Sequence, residues 1–182
     1  FNASELAGPF ELSRPTIREY LTLLEQVFLI DILPPWHHNR LSRLIKTPKL
    51  HLADTGLAAA LLGADVAALK ENRPLYGQLL ETFVHQELRH QSAWTDGVHR
   101  FFHYRDKDQL EVDIVLERDG RLISGVEVKA SSTVGERDFR GLNRLRDRRG
   151  VPLRNRALRW RLGLVFRPTN VRRANRRTLG RA

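Results

Sequence analysis

Cysteine and methionine are both absent from this chain of 182 residues. Without thiols there are no disulfides and no zinc–thiolate centres. The lack of methionine, even at position 1, makes the chain look like a piece of a longer protein with its partner domain upstream. No run approaches the roughly 18 apolar residues that a membrane span needs, and no signal peptide opens the chain. The expectation is a cytoplasmic protein with no membrane partner. A hydrophobic content of 41% is enough for one large or two small cores.

Acidic residues are scarce in the last quarter. Residues 137–182 hold 16 Arg, no Lys and only Asp138 and Asp147, whereas residues 1–136 hold 15 Lys or Arg against 19 Asp or Glu. The net charge of +10 therefore lies wholly in the C-terminal part. A field of that sign attracts nucleic acid without sequence preference, and it equally describes a solvated tail.

Asn2 to Leu6 reads as the end of a short helix. Ser13-Arg14-Pro15-Thr16 starts a second, since Ser13 can cap and a first-turn proline lacks only an amide that would go unpaired. Ile17, Tyr20, Leu21, Leu24, Val27 and Phe28 follow at helical spacing. Two helices joined by a short turn point to a helix-turn-helix. Phe28 to Leu33 reads as a strand ended by Pro34-Pro35, with Lys49-Leu50-His51-Leu52 as its return. Phe28 fits either element. A helical pair plus a hairpin predicts a winged-helix-like module over residues 1–66. Asp54-Thr55-Gly56 opens a short helix, Leu57 to Leu62, ended by Gly63. Residues 64–75 are more mixed, contain Pro74 and are placed as a domain junction.

Tyr76 to about His90 is a predicted helix, with Leu79, Leu80, Phe83, Val84, Glu87 and Leu88 as its stripe. Phe101 to Arg105 is a strand. Residues 110–117 and 122–129 form an antiparallel ribbon around an Asp-Gly turn. A helix from about Glu136 to Arg148 turns Phe139, Leu142 and Leu145 inward, and Leu162 to Phe166 supplies a last strand. Helix, three strands, helix, strand is an α/β layered arrangement over 72–170, followed by a basic tail at 171–182.

The ribbon carries the chemistry. Alternation puts Leu110, Val112, Ile114 and Leu116 on one face and Glu111, Asp113, Val115 and Glu117 on the other. Glu127 and Lys129 share a face opposite Val126 and Val128. One side of the sheet can thus present Asp113, Glu127 and Lys129, with Glu81 of the preceding helix above them. Mg²⁺ and Mn²⁺ take oxygen ligands. Glu81, Asp113 and Glu127, with the Val128 carbonyl, are the candidate ligands. Lys129 is the candidate to orient a nucleophile or offset transition-state charge on a phosphodiester.

Asp113, then Glu127-Val128-Lys129, preceded by a helical Glu81, resembles the PD-(D/E)XK nuclease superfamily. A longer series resembles the C-terminal region of a family of predicted prokaryotic AAA+ ATPases. It runs through Tyr20-Leu21, Phe28-Leu29-Ile30, Leu33-Pro34-Pro35, Lys49, Leu52-Ala53-Asp54-Thr55-Gly56-Leu57 and Leu80-Glu81-Thr82-Phe83-Val84, then Tyr104-Arg105, Glu111-Val112-Asp113 and Val126-Glu127-Val128-Lys129. That region is a domain of unknown function with a nuclease-like fold. The resemblance covers about residues 1–146. It implies a restriction-endonuclease-like α/β domain, an ATPase module upstream as partner, and metal-dependent cleavage of nucleic acid as the activity. No glycine–lysine phosphate loop occurs here, so ATP hydrolysis is not assigned to this chain.

Competing readings stand beside each of these. Strand acids next to a turn are often solvated, and Lys129 can simply neutralise Glu127. Arg105 can meet phosphate or pair with Asp106 or Asp108. Arg14 and Arg18, four apart on one helix, can meet DNA phosphates. With Glu19 and Glu25 on the same helix, docking against the ATPase fits as well. His85 and His90 lack ligand spacing, which favours surface or packing roles. Trp36 with His37 and His38 fits an exposed loop or a packed wing. The function is therefore read as Mg²⁺-dependent phosphodiester hydrolysis, with a non-catalytic nucleic-acid-binding or regulatory and assembly role as the alternative.

Overall fold

The computed structural model describes residues 8–37, 47–131, 135–147, 158–159 and 164–168. The expected helix at Asn2–Leu6 lies outside them, as do His38 and the tail at 171–182. A short 3-10 turn, Gly8–Phe10, precedes the first helix. Ser13 caps α1 (Arg14–Gln26), its hydroxyl accepting from the Thr16 amide at 3.3 Å. Phe28 belongs to neither neighbouring element: it turns the chain with φ of 60°. β1 (Ile30–Leu33) then pairs antiparallel with β2 (Lys49–Leu52), Leu33 opposite Lys49. Asp54 caps α2 (Thr55–Leu61) by accepting from the Leu57 amide at 2.6 Å.

The mixed stretch at 64–75 is helical. Asp65 caps α3 (Val66–Glu71), and Asn72 caps α4 (Arg73–Ser92), which has Pro74 in its first turn. Both caps satisfy amides that a helix start leaves unpaired, so the stretch folds without an apolar pattern to announce it. The buried residues of α4 are Leu80, Thr82, Val84 and His85. Phe83, expected inward, is exposed. Thr82 and His85 instead face the N-terminal hairpin, through His51.

β3 (His99–Arg105), β4 (Glu111–Arg118), β5 (Arg121–Val128), β6 (Leu158–Arg159) and β7 (Leu164–Pro168) form one sheet in the order β3-β4-β5-β7-β6. Every pairing in it is antiparallel. Asp119 and Gly120, with φ of 52° and 76°, close the β4–β5 hairpin in two residues. Positive φ at both positions gives the turn a twist that matches its strands.

Two apolar layers sandwich the sheet. On one side Leu80 and Val84 of α4 pack with Ile114, Val126 and Val128. On the other, Leu142 and Leu145 of α5 (Arg140–Asp147) pack with Phe102, Tyr104, Val112, Val115 and Trp36. Phe139 joins this layer, as its spacing predicts. Val112 and Ile114 therefore belong to different layers, against the simple alternation. The cause is a register shift in the β3–β4 pairing. Phe102 faces Val115 while Tyr104 faces Val112, so β4 holds one extra residue around Asp113. Such a bulge re-aims the side chains it contains.

The N-terminal hairpin is tied to this sheet. The His103 amide donates to the Pro34 carbonyl at 3.0 Å, and the Trp36 amide donates to the His103 carbonyl at 2.6 Å. Pro34-Pro35 ends β1 as expected, and the chain then runs parallel to β3 for a single bridge. Trp36 is a packed residue at 2% exposure. The result is a mixed α/β fold: an N-terminal helix and a central antiparallel sheet flanked by helices. No helix among the described residues is long and apolar enough to cross a membrane.

Candidate functional site

Four elements converge on the acidic residues. β4 supplies Asp113 from within the bulge, next to the fully buried Val112 and Ile114. The end of β5 supplies Glu127, and Lys129 follows it. α4 supplies Glu81. The fourth contributor is β2, whose Lys49 was noted only as part of a sequence resemblance. Its ammonium donates to Glu81 Oε1 at 2.6 Å and to Asp113 Oδ1 at 3.2 Å.

Two further carboxylate oxygens are also engaged. Asp113 Oδ2 accepts from the Val128 amide at 2.8 Å. Glu127 Oε1 accepts from Lys129 Nζ at 2.7 Å. Glu127 Oε2 is buried and has no hydrogen-bond partner. The structure thus brings Glu81 and Asp113 together at one ammonium and leaves Glu127 beside them on its own lysine. Val128 takes part through its amide.

The electrostatics follow from this crowding. Burial opposes the charge of Lys49, but Asp113 and Glu81 outweigh it and hold its pKa above the usual value. Burial pushes Glu81 up, the Asp113 charge adds to this, and Lys49 counters both. Burial and then the Asp113 charge push Glu127 up to about 7, against the pull of Lys129. Glu127 is therefore poised to hold a proton near neutrality, which removes its charge and leaves its second oxygen without a partner. For Lys129 burial opposes the charge, and its bond to Glu127 raises the pKa regardless.

A hard divalent cation needs several oxygens free to turn inward. Here the facing oxygens of Glu81 and Asp113 already hold an ammonium, and Glu127 is drawn to Lys129. Among the described residues no group of three or more His, Asp or Glu side chains is set to hold a metal ion. As arranged, the residues do not fit Mg²⁺ or Mn²⁺.

Beside the acidic group lies a buried histidine pair. His51 Nδ1 lies 3.0 Å from Thr82 Oγ1, and its ring stacks on His85 at 4.8 Å between centroids. His85 Nδ1 is 3.6 Å from Asp31 Oδ2, and Asp31 also pairs with Arg89. Burial lowers the pKa of His51 to about 3 and that of His85 to about 4. Both are neutral packing residues at physiological pH. His90 is exposed, within 3.8 Å of Glu87.

The candidate nucleic-acid contacts lie on two elements, α1 and β3. Arg14 and Arg18 are exposed on α1. Arg105 pairs with Glu111 at 3.0 Å and with Gln109. Neither expected partner is used, because Asp106 and Asp108 are both taken by Arg144 from α5, at 3.3 and 2.8 Å.

Lys49 and His51 are the site members that sequence reasoning missed. Their signal is alternation: two polar residues two apart in a four-residue strand share one face. That face meets Glu81 and Thr82 of α4. Glu117, grouped with the solvated acids, is buried at 2% exposure and accepts from Trp36.

Comparison with known proteins places the chain among uncharacterized families. Residues 76–173 match the model of a domain of unknown function, DUF4143, and residues 1–68 match that of a second, DUF8612. Uncharacterized proteins of Mycobacterium bovis and Mycobacterium tuberculosis are each 32% identical over 133 residues. The match covers 73% of this chain and 29% of each relative, so the chain spans less than a third of the curated relatives it matches. No solved structure matches significantly. The DUF4143 match covers more than half of the sequence and includes Glu81, Asp113, Glu127 and Lys129, so the chain belongs to the DUF4143 family.

Proposed function

We propose that this chain is a regulatory or assembly module of a longer protein, built on a nuclease-like α/β scaffold behind a winged-helix-like module. The observation that supports it is the uncovered apolar face of α1. Ile17 is the buried residue of that helix. Tyr20, Leu23, Leu24, Val27, Phe28 and Leu29 are all exposed, Phe28 at 83%, and Phe10 and Leu12 lie exposed just before them. The helical stripe predicts a face that packs, and among the described residues little packs on it. Contiguous exposed apolar side chains of this size mark a docking surface.

The occupant is the remainder of the longer chain. The stretch matched by the mycobacterial proteins is 29% of their length, so most of each relative lies outside it. By the resemblance above, that remainder includes an ATPase module. Charge favours this over nucleic acid at the same surface. Arg14 and Arg18 on α1 are offset by Glu19 and Glu25, and a DNA-facing helix gains its affinity from unbalanced positive charge.

The test uses the full-length parent protein with a photo-crosslinking residue at Leu23. Crosslinks to residues outside this chain support the assembly reading. Crosslinks confined to this chain count against it. Mg²⁺- or Mn²⁺-dependent cleavage of DNA or RNA, abolished by Asp113→Ala and by Lys129→Ala, would replace it with the hydrolytic reading. Salt-sensitive DNA binding lost in the double variant Arg14→Ala, Arg18→Ala would replace it with the nucleic-acid reading.

A further inference from the structure

We propose that Lys49 is the resident cation of the acidic site: its ammonium fills the place between Glu81 and Asp113, and seating of the N-terminal hairpin closes that site to divalent ions. Two contacts carry this, at 2.6 and 3.2 Å, from one nitrogen to carboxylates on different elements. Glu81 comes from α4 and Asp113 from the bulge in β4. An ammonium that bridges them does what a bound ion would do, offsetting the repulsion of a buried and a half-buried carboxylate. Glu127 is the independent mark of an unfilled requirement. At 7% exposure it keeps one oxygen with no hydrogen-bond partner.

The origin of the cation gives the arrangement its consequence. Lys49 lies on β2, opposite Leu33 at the end of the hairpin that leads into Trp36. Its ammonium reaches both carboxylates only while β2 is seated against α4, so docking of the hairpin delivers the cation to the site. Hairpin docking and ion binding are therefore alternatives, and each weakens the other by the same factor. A solvent-open cleft of about 590 Å³ is lined by Lys49, His51, Leu79, Glu81 and Thr82, so an ion can reach the lysine's side of the site. The ligand class is a hard divalent cation, read with Mn²⁺ as the probe.

The experiment is Mn²⁺ titration of the whole chain by calorimetry, with thermal unfolding in parallel. In the native protein no saturable binding that depends on Asp113 is expected, and Mg²⁺ and Mn²⁺ leave Tm unchanged. Lys49→Ala is expected to unfold at lower temperature and to gain Mn²⁺ binding at least about tenfold tighter than the native chain. Its Tm then rises with added Mn²⁺, and adding Asp113→Asn abolishes that rise. Lys49→Arg, which keeps the charge, is expected to stay closed. Lys49→Met covers the case in which the alanine variant does not fold. Asp113-dependent Mn²⁺ binding by the native chain overturns the proposal. So does a folded Lys49→Ala or Lys49→Met protein that binds no Mn²⁺, because the lysine is then an ordinary ion-pair partner.

Discussion

Trp36 donates its indole N–H to Glu117 Oε1 at 2.7 Å, and both side chains are 2% exposed. The two residues are 81 positions apart, one following the N-terminal hairpin and the other near the end of β4. Burying a carboxylate is costly unless donors meet it. The indole is such a donor, and its ring also fills the layer beneath α5, 6.2 Å from Tyr104. Trp36→Phe keeps most of the volume and removes the donor. Loss of a bond to a buried charged group costs about 2–3 kcal/mol. Urea denaturation checks this, and Glu117→Gln in the same assay is expected to cost less, since the acceptor remains.

Gly141 is placed by an opposite kind of constraint. It is buried in α5, and a Cβ there would run into the backbone carbonyl of Glu111 on β4. Alanine is the better helix former by about 1 kcal/mol. Overpacking costs about 1–3 kcal/mol, and neither backbone yields easily here, so the clash wins. Gly141→Ala is expected to lower stability by up to about 2 kcal/mol net. A gain in Tm would show that α5 stands further from β4.

Stability should also depend on pH in a defined direction. Burial depresses His51 to about 3 and both His85 and His103 to about 4, from an ordinary value of 6.5. Below 6.5 the unfolded chain takes up protons that the folded chain refuses. Stability contributed by these rings is thus present above pH 6.5 and is lost as pH falls toward 4. Each unit of depression corresponds to about 1.4 kcal/mol. Glu127 works the other way: with its pKa raised to about 7, its contribution falls as pH rises from 4.5 through 7. Three histidines outweigh one glutamate, so Tm is expected to climb between pH 4 and 6.5. His85→Gln should flatten that climb, and an unchanged slope would mean the ring is not the titrating group.

These residues also separate what was legible in the sequence from what was not. The β4–β5 hairpin was legible because Asp119-Gly120 is one of the few pairs that accept positive φ twice. The start of α1 was legible because Ser13 and Pro15 act locally. The inward stripe of α5 was legible because Phe139, Leu142 and Leu145 keep helical spacing. Failures began where distant partners decide. The bulge at Asp113 arises in the pairing of β4 with β3, so alternation along β4 alone assigned Val112 and Ile114 to one face. Lys49 finds its carboxylates 32 and 64 residues away. Arg105 had two acids nearby, yet Arg144 claims both from α5. The acidic residues themselves were legible, but the cation between two of them was not.

Phe28 tests whether the α1 surface is held in place at a cost in stability. The Leu29 amide donates to the Leu24 carbonyl at 2.9 Å, and the Phe28 amide to the Glu25 carbonyl at 3.0 Å. This pair of bonds is the glycine-favouring ending of a helix, with the residue after the cap at positive φ. Here that residue is phenylalanine, with φ of 60° and a side chain 83% exposed. A bulky residue in that backbone region is disfavoured, and water gives its ring nothing in return. Phe28→Gly is therefore expected to raise the stability of this chain by roughly 1 kcal/mol, read by thermal unfolding. In the full-length protein the same substitution removes a ring from the proposed docking face. It should then weaken packing of the module on the rest of the chain, seen as faster proteolysis between them. A variant more stable alone and looser in the parent protein is what a docking role requires. Equal or tighter packing in the parent would take Phe28 out of the interface.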